Sequence, residues 1–238
     1  MNKYILWILV LLLVLFIAFF LFFFTGKKAS AENITWGVNF SPKQANDLGL
    51  DPKETFLSII NDLKADHIKI AIHWDLIEKQ QNIFDMEDFD FYMGEAEKRG
   101  VNVILAIGVK TPRWPEYHVP LWATYLSKDE QQNEILEMLA FVVNRYKDSP
   151  NLIAWQVENE PFFNYGKAPW KDGSFIKKEI DVVKNIDNKH DIIVTDSGEM
   201  SFWFRVAKLG DIVGITMYTK VWSDPIKDDF SYPFPAVF

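Results

Sequence analysis

The sequence predicts an α/β protein built as a parallel barrel of the (β/α)8 type, incomplete, with about six strands and five helices after one N-terminal transmembrane helix. Three observations lead there. Short apolar runs rich in Val and Ile alternate with helical patterns at a spacing of about 30–40 residues, the pattern of repeated βα units around a parallel sheet. No Gly-x-Gly-x-x-Gly follows the first strand and no Walker-type loop occurs, so the phosphate-binding signatures of an open doubly wound sheet are missing and the barrel is favoured. Aromatic rings, carboxylates and amides collect where the strand patterns end, the edge on which a barrel carries its chemistry.

Taken in chain order, the first element is a run of 21 apolar residues at positions 4–24, six of them Phe, which at about 1.5 Å per residue crosses a bilayer core of about 30 Å. Ala29-Ser30-Ala31 fits a small-x-small cleavage site, but the apolar run exceeds the usual 7–15 residues of a signal h-region, and a retained anchor is favoured. Residues 1–31 are therefore an anchor or signal segment and residues 32–238 a soluble domain of 207 residues, short for a closed barrel of about 250. Strands are expected at 34–39, 68–73, 102–108, 152–157, 192–195 and 212–218. A helix starts at Asp51-Pro52-Lys53-Glu54, an N-cap with Pro at the first helical position, and runs on with Phe56, Leu57, Ile60 and Leu63 on one face. A second runs from Glu87 to Arg99 and stops at Gly100, with Asp85, Glu87 and Asp88 as helix-start carboxylates. A third opens on Ser127 with Glu130 as capping-box partner and carries Ile135, Leu136, Leu139, Val142, Val143 and Tyr146 at a 3.6 period. Further helices are expected at 172–186 and, shorter, at 201–208.

Composition excludes whole classes of function. There is no Cys, hence no disulfide framework, thiolate metal site or cysteine nucleophile. The net charge is −8, and without residues 1–31 the chain carries 22 basic against 33 acidic residues, a net of −11, which argues against a nucleic-acid partner. Four scattered His with no His-Glu-x-x-His give no metal signature, and no cofactor is expected. The strand ends offer Asn39 and Phe40; His73 and Trp74; Lys110, Arg113 and Trp114; Asn159 and Glu160; Asp196 and Glu199; Tyr218 and Trp222. Aromatic faces stack on the C–H faces of pyranose rings while carboxylates and amides bond the hydroxyls at the ring edge, so a carbohydrate site is the natural hypothesis.

The sharpest local signal is Leu152-Ile153-Ala154-Trp155-Gln156-Val157-Glu158-Asn159-Glu160-Pro161, an apolar strand ending in Asn-Glu and stopped by Pro. It resembles the fourth-strand motif of the retaining (β/α)8 TIM-barrel glycoside hydrolases that include glycoside hydrolase family 5, the cellulase and mannanase family. Trp74 with Ile77-Glu78 and Ile83-Phe84-Asp85 resembles the segment after the second strand, and Asp211-Ile212-Val213-Gly214-Ile215 leading to Tyr218 resembles the sixth. The resemblance covers residues 35–222. It implies hydrolysis of a β-linked polysaccharide or oligosaccharide by double displacement, with Glu160 as general acid/base, Asn159 on the substrate 2-hydroxyl and Tyr218 bonded to the nucleophile. Trp74, Trp114 and Trp222 become candidate sugar platforms, Arg113 a bridge to substrate, and His73, His118 and Glu199 cleft residues.

Two departures stand out. Where the family carries Arg in the second strand this chain has Lys69, which keeps the charge and loses the bidentate fork. No strand ending in Glu follows Tyr218, so the nucleophile is expected beyond Phe238. Glu158 reads as a solvent-facing or salt-bridged carboxylate, and His67 and His190 as structural residues on the opposite rim. A catalytically inactive glycan-binding barrel and an envelope scaffold stay open as alternatives. An extracytoplasmic domain tethered by the N-terminal helix, or secreted if that segment is cleaved, fits substrates that lie outside the cell.

Overall fold

In the computed structural model, six parallel strands hydrogen-bond in chain order: β1 (Val38–Phe40), β2 (His67–Ala71), β3 (Asn102–Ile107), β4 (Leu152–Val157), β5 (Asp191–Ser197) and β6 (Ile212–Thr216). The structure describes residues 3–24, 34–198, 201, 203–216, 218, 220–223 and 227–231, with the backbone alone at 22–24, 221–223, 230 and 231. The described residues of 36–217 form one compact unit, and those of 1–35 and 218–238 a second that is described by itself.

The sheet is a TIM-barrel-like half-barrel with helices between successive strands. These are α2 (Pro42–Asp47) and α3 (Pro52–Asn61) after β1, α4 (Trp74–Ile77) and α5 (Glu87–Lys98) after β2, α6 (Lys128–Tyr146) after β3, and α7 (Phe175–Ile186) after β4. Local sequence chemistry fixes their ends. The Asp51 carboxylate accepts the Glu54 N–H at 2.8 Å, with Pro52 in the first turn. Ser127 and Glu130 close a reciprocal capping box at the start of α6. At the end of α5, Gly100 takes φ +66°, and the Val101 N–H returns to the Ala96 carbonyl at 2.9 Å.

Several expected elements differ in extent, and for the strands β1 and β6 pairing explains why. β1 is confined to Val38–Phe40 because its partners are Ile68–Ile70 and β2 begins at His67, which leaves residues 34–37 no strand to pair with. β6 stops at Thr216, opposite Ser197, where β5 ends. α7 begins at Phe175 because the Asp172 carboxylate is held outside it, by Lys128 at 2.7 Å and Ser174 at 2.5 Å. The helix expected at 201–208 contracts to a 3-10 turn at Val206–Lys208. α2, α4 and a 3-10 turn at Leu121–Tyr125 were not legible as elements, since each is too short to display a period.

The core lies between the sheet and its helices. Phe40 from β1, Phe56 from α3 and Tyr92 from α5 meet with ring centroids 5.0–5.2 Å apart, joining three elements far apart in sequence. Near the start of β5, the buried Asp187 carboxylate accepts Trp155 Nε1 of β4 at 2.9 Å and pairs with His190 Nδ1 at 2.7 Å. His190 is thus a structural residue, as expected.

In the second unit, α1 (Lys3–Phe24) is exposed as far as Leu21 and, at about 33 Å, long and apolar enough to cross a membrane. A signal sequence has the same properties. An antiparallel hairpin, β7 (Lys220–Ser223) with β8 (Asp228–Ser231), carries an ion pair between Lys220 and Asp229 at 2.6 Å. Ala29-Ser30-Ala31 and Glu199 lie outside the described residues.

Burial pushes the Asp187 carboxyl up, but the bonds from Trp155, His190 and the 189–190 backbone outweigh it and hold the group at about 2. A depressed carboxyl stabilises the fold above the ordinary Asp range and loses that contribution as pH falls through its own pKa. Asp187→Asn is therefore expected to cost about 2 kcal/mol at pH 6. Urea melts should show the difference from the parent closing as pH falls from 4 towards 2.

Candidate active site

At the carboxyl edge of the sheet the backbone of β4 leaves the strand through two residues in the left-handed region, Glu158 at φ +59° and Glu160 at φ +48°. Neither is glycine, so surrounding contacts must hold the turn against its steric cost. The contacts come from the neighbouring end of β3. The Glu158 N–H donates to the Ile107 carbonyl at 2.8 Å and the Asn159 N–H to the Lys110 carbonyl at 2.6 Å. The Glu158 carboxylate accepts the Val109 and Lys110 N–H groups, both at 2.7 Å. Lys110, 1% exposed, donates from Nζ to the carbonyls of Glu160 at 2.8 Å and Phe163 at 2.7 Å. Burial pulls its ammonium down from the ordinary lysine range, while Glu116, Glu158, Glu160 and Asp196 act to keep it charged.

Glu160 itself is 8% exposed. Its N–H donates to Thr195 Oγ1 of β5 at 2.8 Å, and its Oε1 accepts the hydroxyl of Thr216, the last residue of β6, at 2.6 Å. β5 thus holds the Glu160 backbone and β6 its carboxyl group. Among the described residues, Oε2 carries no hydrogen bond. Asn159, half-buried, donates from Nδ2 to Glu116 Oε2 at 3.0 Å. Burial raises the Glu116 carboxyl, opposed by Asn159 and Lys110. Lys69 of β2 donates to Gln156 Oε1 at 2.9 Å, and burial together with nearby Arg113 lowers its pKa, while Glu160 acts to raise it.

Several of the roles expected from the sequence change once burial is known, and burial is the common cause. Glu158 is 5% exposed and faces neither solvent nor a surface partner. Trp74 is fully buried, donates to Glu78 Oε2 at 2.6 Å and meets Trp122 edge-on, so no ring face is open to a sugar. His73 is also fully buried, between Ser41 Oγ at 2.9 Å and Thr111 Oγ1 at 2.8 Å, and its ring packs at a tilt against His118 with centroids 4.0 Å apart. His118 is 1% exposed, contacts Lys43 Nζ at 3.2 Å, and is pulled down to about 4, by burial first and then by Lys43. Both histidines brace the loops after β1, β2 and β3 and are closed to ligand.

Trp114 is 55% exposed and meets Tyr165 edge-on at 5.8 Å, with Lys167 Nζ 5.6 Å from its ring. Arg113, exposed beside it at φ +103°, lies close enough to Lys69 and His73 to shift both. Tyr218 is exposed and belongs to the second unit. The Trp222 side chain lies outside the described residues. Among the described residues no group of three or more His, Asp or Glu could hold a metal ion.

Sequence reasoning placed Lys110 among the strand-end residues without a defined role, and assigned no part to Glu116, Thr195, Thr216 or Glu179. Only Glu179 carried a signal. It stands on the face that α7 builds from Ile176, Ile180 and Val183, a carboxyl in an apolar stripe. It is 1% exposed, its carboxyl faces that of Glu158 closely enough for the two to shift one another, and its Oε1 is buried with no partner. A cavity of about 210 Å³ lies there, between the ends of β3 and β4 and the first half of α7.

A half-barrel of parallel strands with an Asn-Glu pair at the carboxyl end of its fourth strand defines the class, a TIM-barrel-like α/β protein with a carboxylate-bearing edge. Residues 27–231 match the cellulase family, glycosyl hydrolase family 5, and the chain belongs to that family. Over 124 residues it is 29% identical to a probable mannan endo-1,4-beta-mannosidase A-1 from Aspergillus terreus, a match covering 48% of this chain and 31% of that protein. Among solved structures, a GH5_18 variant from Streptomyces cattleya in complex with Manβ1-4GlcNAc superposes with a TM-score of 0.61 at 15% identity, covering 77% of this chain and 51% of its own. Xylanase 10B from Thermotoga petrophila in complex with xylobiose superposes at 0.59 with 20% identity, covering 79% and 62%. The matched part thus spans about a third of the mannosidase and half to three-fifths of these two structures.

Lys110→Met removes the donor to two carbonyls and the cation that faces four carboxylates while keeping the apolar stem. It is expected to cost about 3 kcal/mol in urea unfolding. A loss under about 1 kcal/mol would show that the β3 and β4 ends hold together without it.

Proposed function

We propose that the protein hydrolyses O-glycosidic bonds in a β-linked polysaccharide or oligosaccharide with retention of configuration, Glu160 acting as general acid/base. One observation carries the reading. In a chain of glycosyl hydrolase family 5, Glu160 sits nearly buried beside Asn159 at the carboxyl edge, with one oxygen bonded by Thr216 and the other without a partner among the described residues. In the first step the Glu160 carboxyl gives its proton to the leaving oxygen as a carboxylate nucleophile attacks the anomeric carbon. In the second, the Glu160 carboxylate takes a proton from the water that releases the sugar. Asn159 bonds the 2-hydroxyl, where the bond strengthens as positive charge develops on the ring.

The nucleophile is the carboxylate of a further strand end, with Tyr218 as its hydrogen-bond partner. Trp114, with Tyr165 and Arg113 near it, is the sugar-binding surface, joined by Glu199. The similarity to a mannan endo-1,4-beta-mannosidase supports a β-linked glycan as substrate, and Manβ1-4GlcNAc and xylobiose are the ligands bound in two of the structural neighbours. The 1–31 segment is proposed as a retained anchor that places domain 32–238 outside the cytoplasm, where such glycans lie.

In the full-length gene product, reducing-end release from β-mannan, xylan and β-glucan is the assay. Glu160→Gln is expected to lower kcat about a thousandfold or more with KM little changed. An unchanged rate would remove Glu160 from the chemistry, and glycan binding without cleavage by the parent would leave a binding protein instead. Trp114→Ala should raise KM roughly 2- to 10-fold with kcat nearly constant. For the anchor, the protein should stay with carbonate-washed membranes, whereas a soluble form beginning near residue 32 would identify a cleaved signal.

A further inference from the structure

Nothing in the chemistry proposed for Glu160 uses the two buried carboxyls beside it, Glu158 and Glu179, yet the geometry gives them a task. The segment 158–160 turns out of β4 through two left-handed residues that carry side chains, and this turn aims Glu160. A turn of that kind keeps its shape only where contacts over-determine it. The Glu158 carboxylate supplies two of those contacts, spanning the adjacent N–H groups of Val109 and Lys110. The β3 loop is shaped to receive it. Gly108 stands at φ +121°, and a Cβ there would lie 2.4 Å from Glu158 Oε1.

An ionised carboxylate can accept both N–H groups and a third donor, whereas an amide offers one oxygen and turns an N–H₂ against the other donor. The third donor is Glu179. Burial raises both carboxyls, but Glu158 is held down by the Val109 and Lys110 N–H groups and the Lys110 ammonium, whereas the facing Glu158 pushes Glu179 further up, so the proton stays on Glu179. Two buried carboxyls meet without repulsion because one is neutral.

We propose that Glu158 is the positioning residue of the Asn159–Glu160 pair, its carboxylate clamping the end of β4 to the β3 loop with Glu179 of α7 packed behind it. The proposal rests on the hydrolase reading for its kinetic consequence and on geometry alone for the clamp. Lys110 and Tyr117 face the pair from the β3 loop, and Lys171, Asp172 and Arg205 line the adjoining cavity. Glu116, Glu160 and Asp196 act on Lys110 from its other neighbours. When Glu179 loses its proton two carboxylates face one another, and the clamp loosens as pH rises.

Glu158→Gln and Glu179→Gln in the full-length gene product test this. Glu158→Gln is expected to lower kcat roughly tenfold to a hundredfold with KM within about threefold, the pattern of a misaimed group rather than lost binding. Glu179→Gln keeps the donor with no proton to lose, so kcat near neutral pH stays within about threefold and the alkaline limb of kcat moves upward. Because a raised acid destabilises the fold increasingly as pH climbs above the ordinary glutamate range, Glu179→Gln should also melt above the parent, by a margin that widens with pH.

Amide hydrogen exchange over residues 108–111 reads the clamp without any catalysis. Protection should fall at least about tenfold in Glu158→Gln, and should fade at alkaline pH in the parent but not in Glu179→Gln. Unchanged kcat and unchanged protection in Glu158→Gln would overturn the proposal, as would an alkaline response common to the parent and Glu179→Gln. Should Glu158→Gln not fold, the exchange of the parent and Glu179→Gln across pH decides alone. A parent that cleaves no glycan sinks the hydrolase reading, and the exchange data still decide the clamp.

Discussion

A parallel sheet ends, at its carboxyl edge, in backbone groups that no further strand residue pairs, and here that edge must also carry a carboxyl group out of the sheet. The junction of β3 and β4 meets both demands at once. Backbone donors of Glu158 and Asn159 reach the β3 end, and backbone donors of Val109 and Lys110 return to the Glu158 side chain. Lys110 then ties down the carbonyls beyond, at Glu160 and Phe163. Everything placed at the edge depends on this junction, because Glu160 is aimed by a backbone that would not hold left-handed geometry unaided.

Such a junction concentrates ionisable groups away from water, and their protonation states are settled jointly. Lys110 is pulled down by burial and held up by its carboxylate neighbours, Glu116 is pushed up, and Glu179 is pushed up further by the charge on Glu158. The same physics governs the loops after β1, β2 and β3. There His73 and His118 pack as buried, mutually tilted rings between Ser41, Thr111 and Lys43, their pKa values lowered chiefly by burial. Polar side chains in these loops act as ties between elements, which is why residues of the right chemical type for binding sugar are closed to it. Trp74 follows the same rule, its indole N–H committed to Glu78.

Membership of glycosyl hydrolase family 5 places these ties in a setting where small changes of aim matter. Proton transfer to a leaving oxygen tolerates little displacement of the donor, so residues that never touch substrate can govern rate through the donor's backbone. The cavity beside Glu158 and Glu179 lies against the turn that carries Glu160. The positions that set the geometry of the edge are therefore spread over β3, β4, β5, β6 and α7.

The order of βα units, the caps at Asp51 and Ser127, the stop at Gly100 and the Asn159–Glu160 pair after β4 are all legible in the amino-acid order, because each is written in neighbouring residues: a period, an N-cap, a glycine, a strand stopped by Pro161. One partial clue to the edge is legible as well, a glutamate in the apolar stripe of α7. It took the folded chain to bring Thr195 and Thr216 to Glu160, to set Glu116 against Asn159, and to turn Glu158 inward to Glu179. Those contacts join residues 21 to 56 positions apart. They exist only because sheet register brings separate strand ends level, a relation that no local pattern encodes.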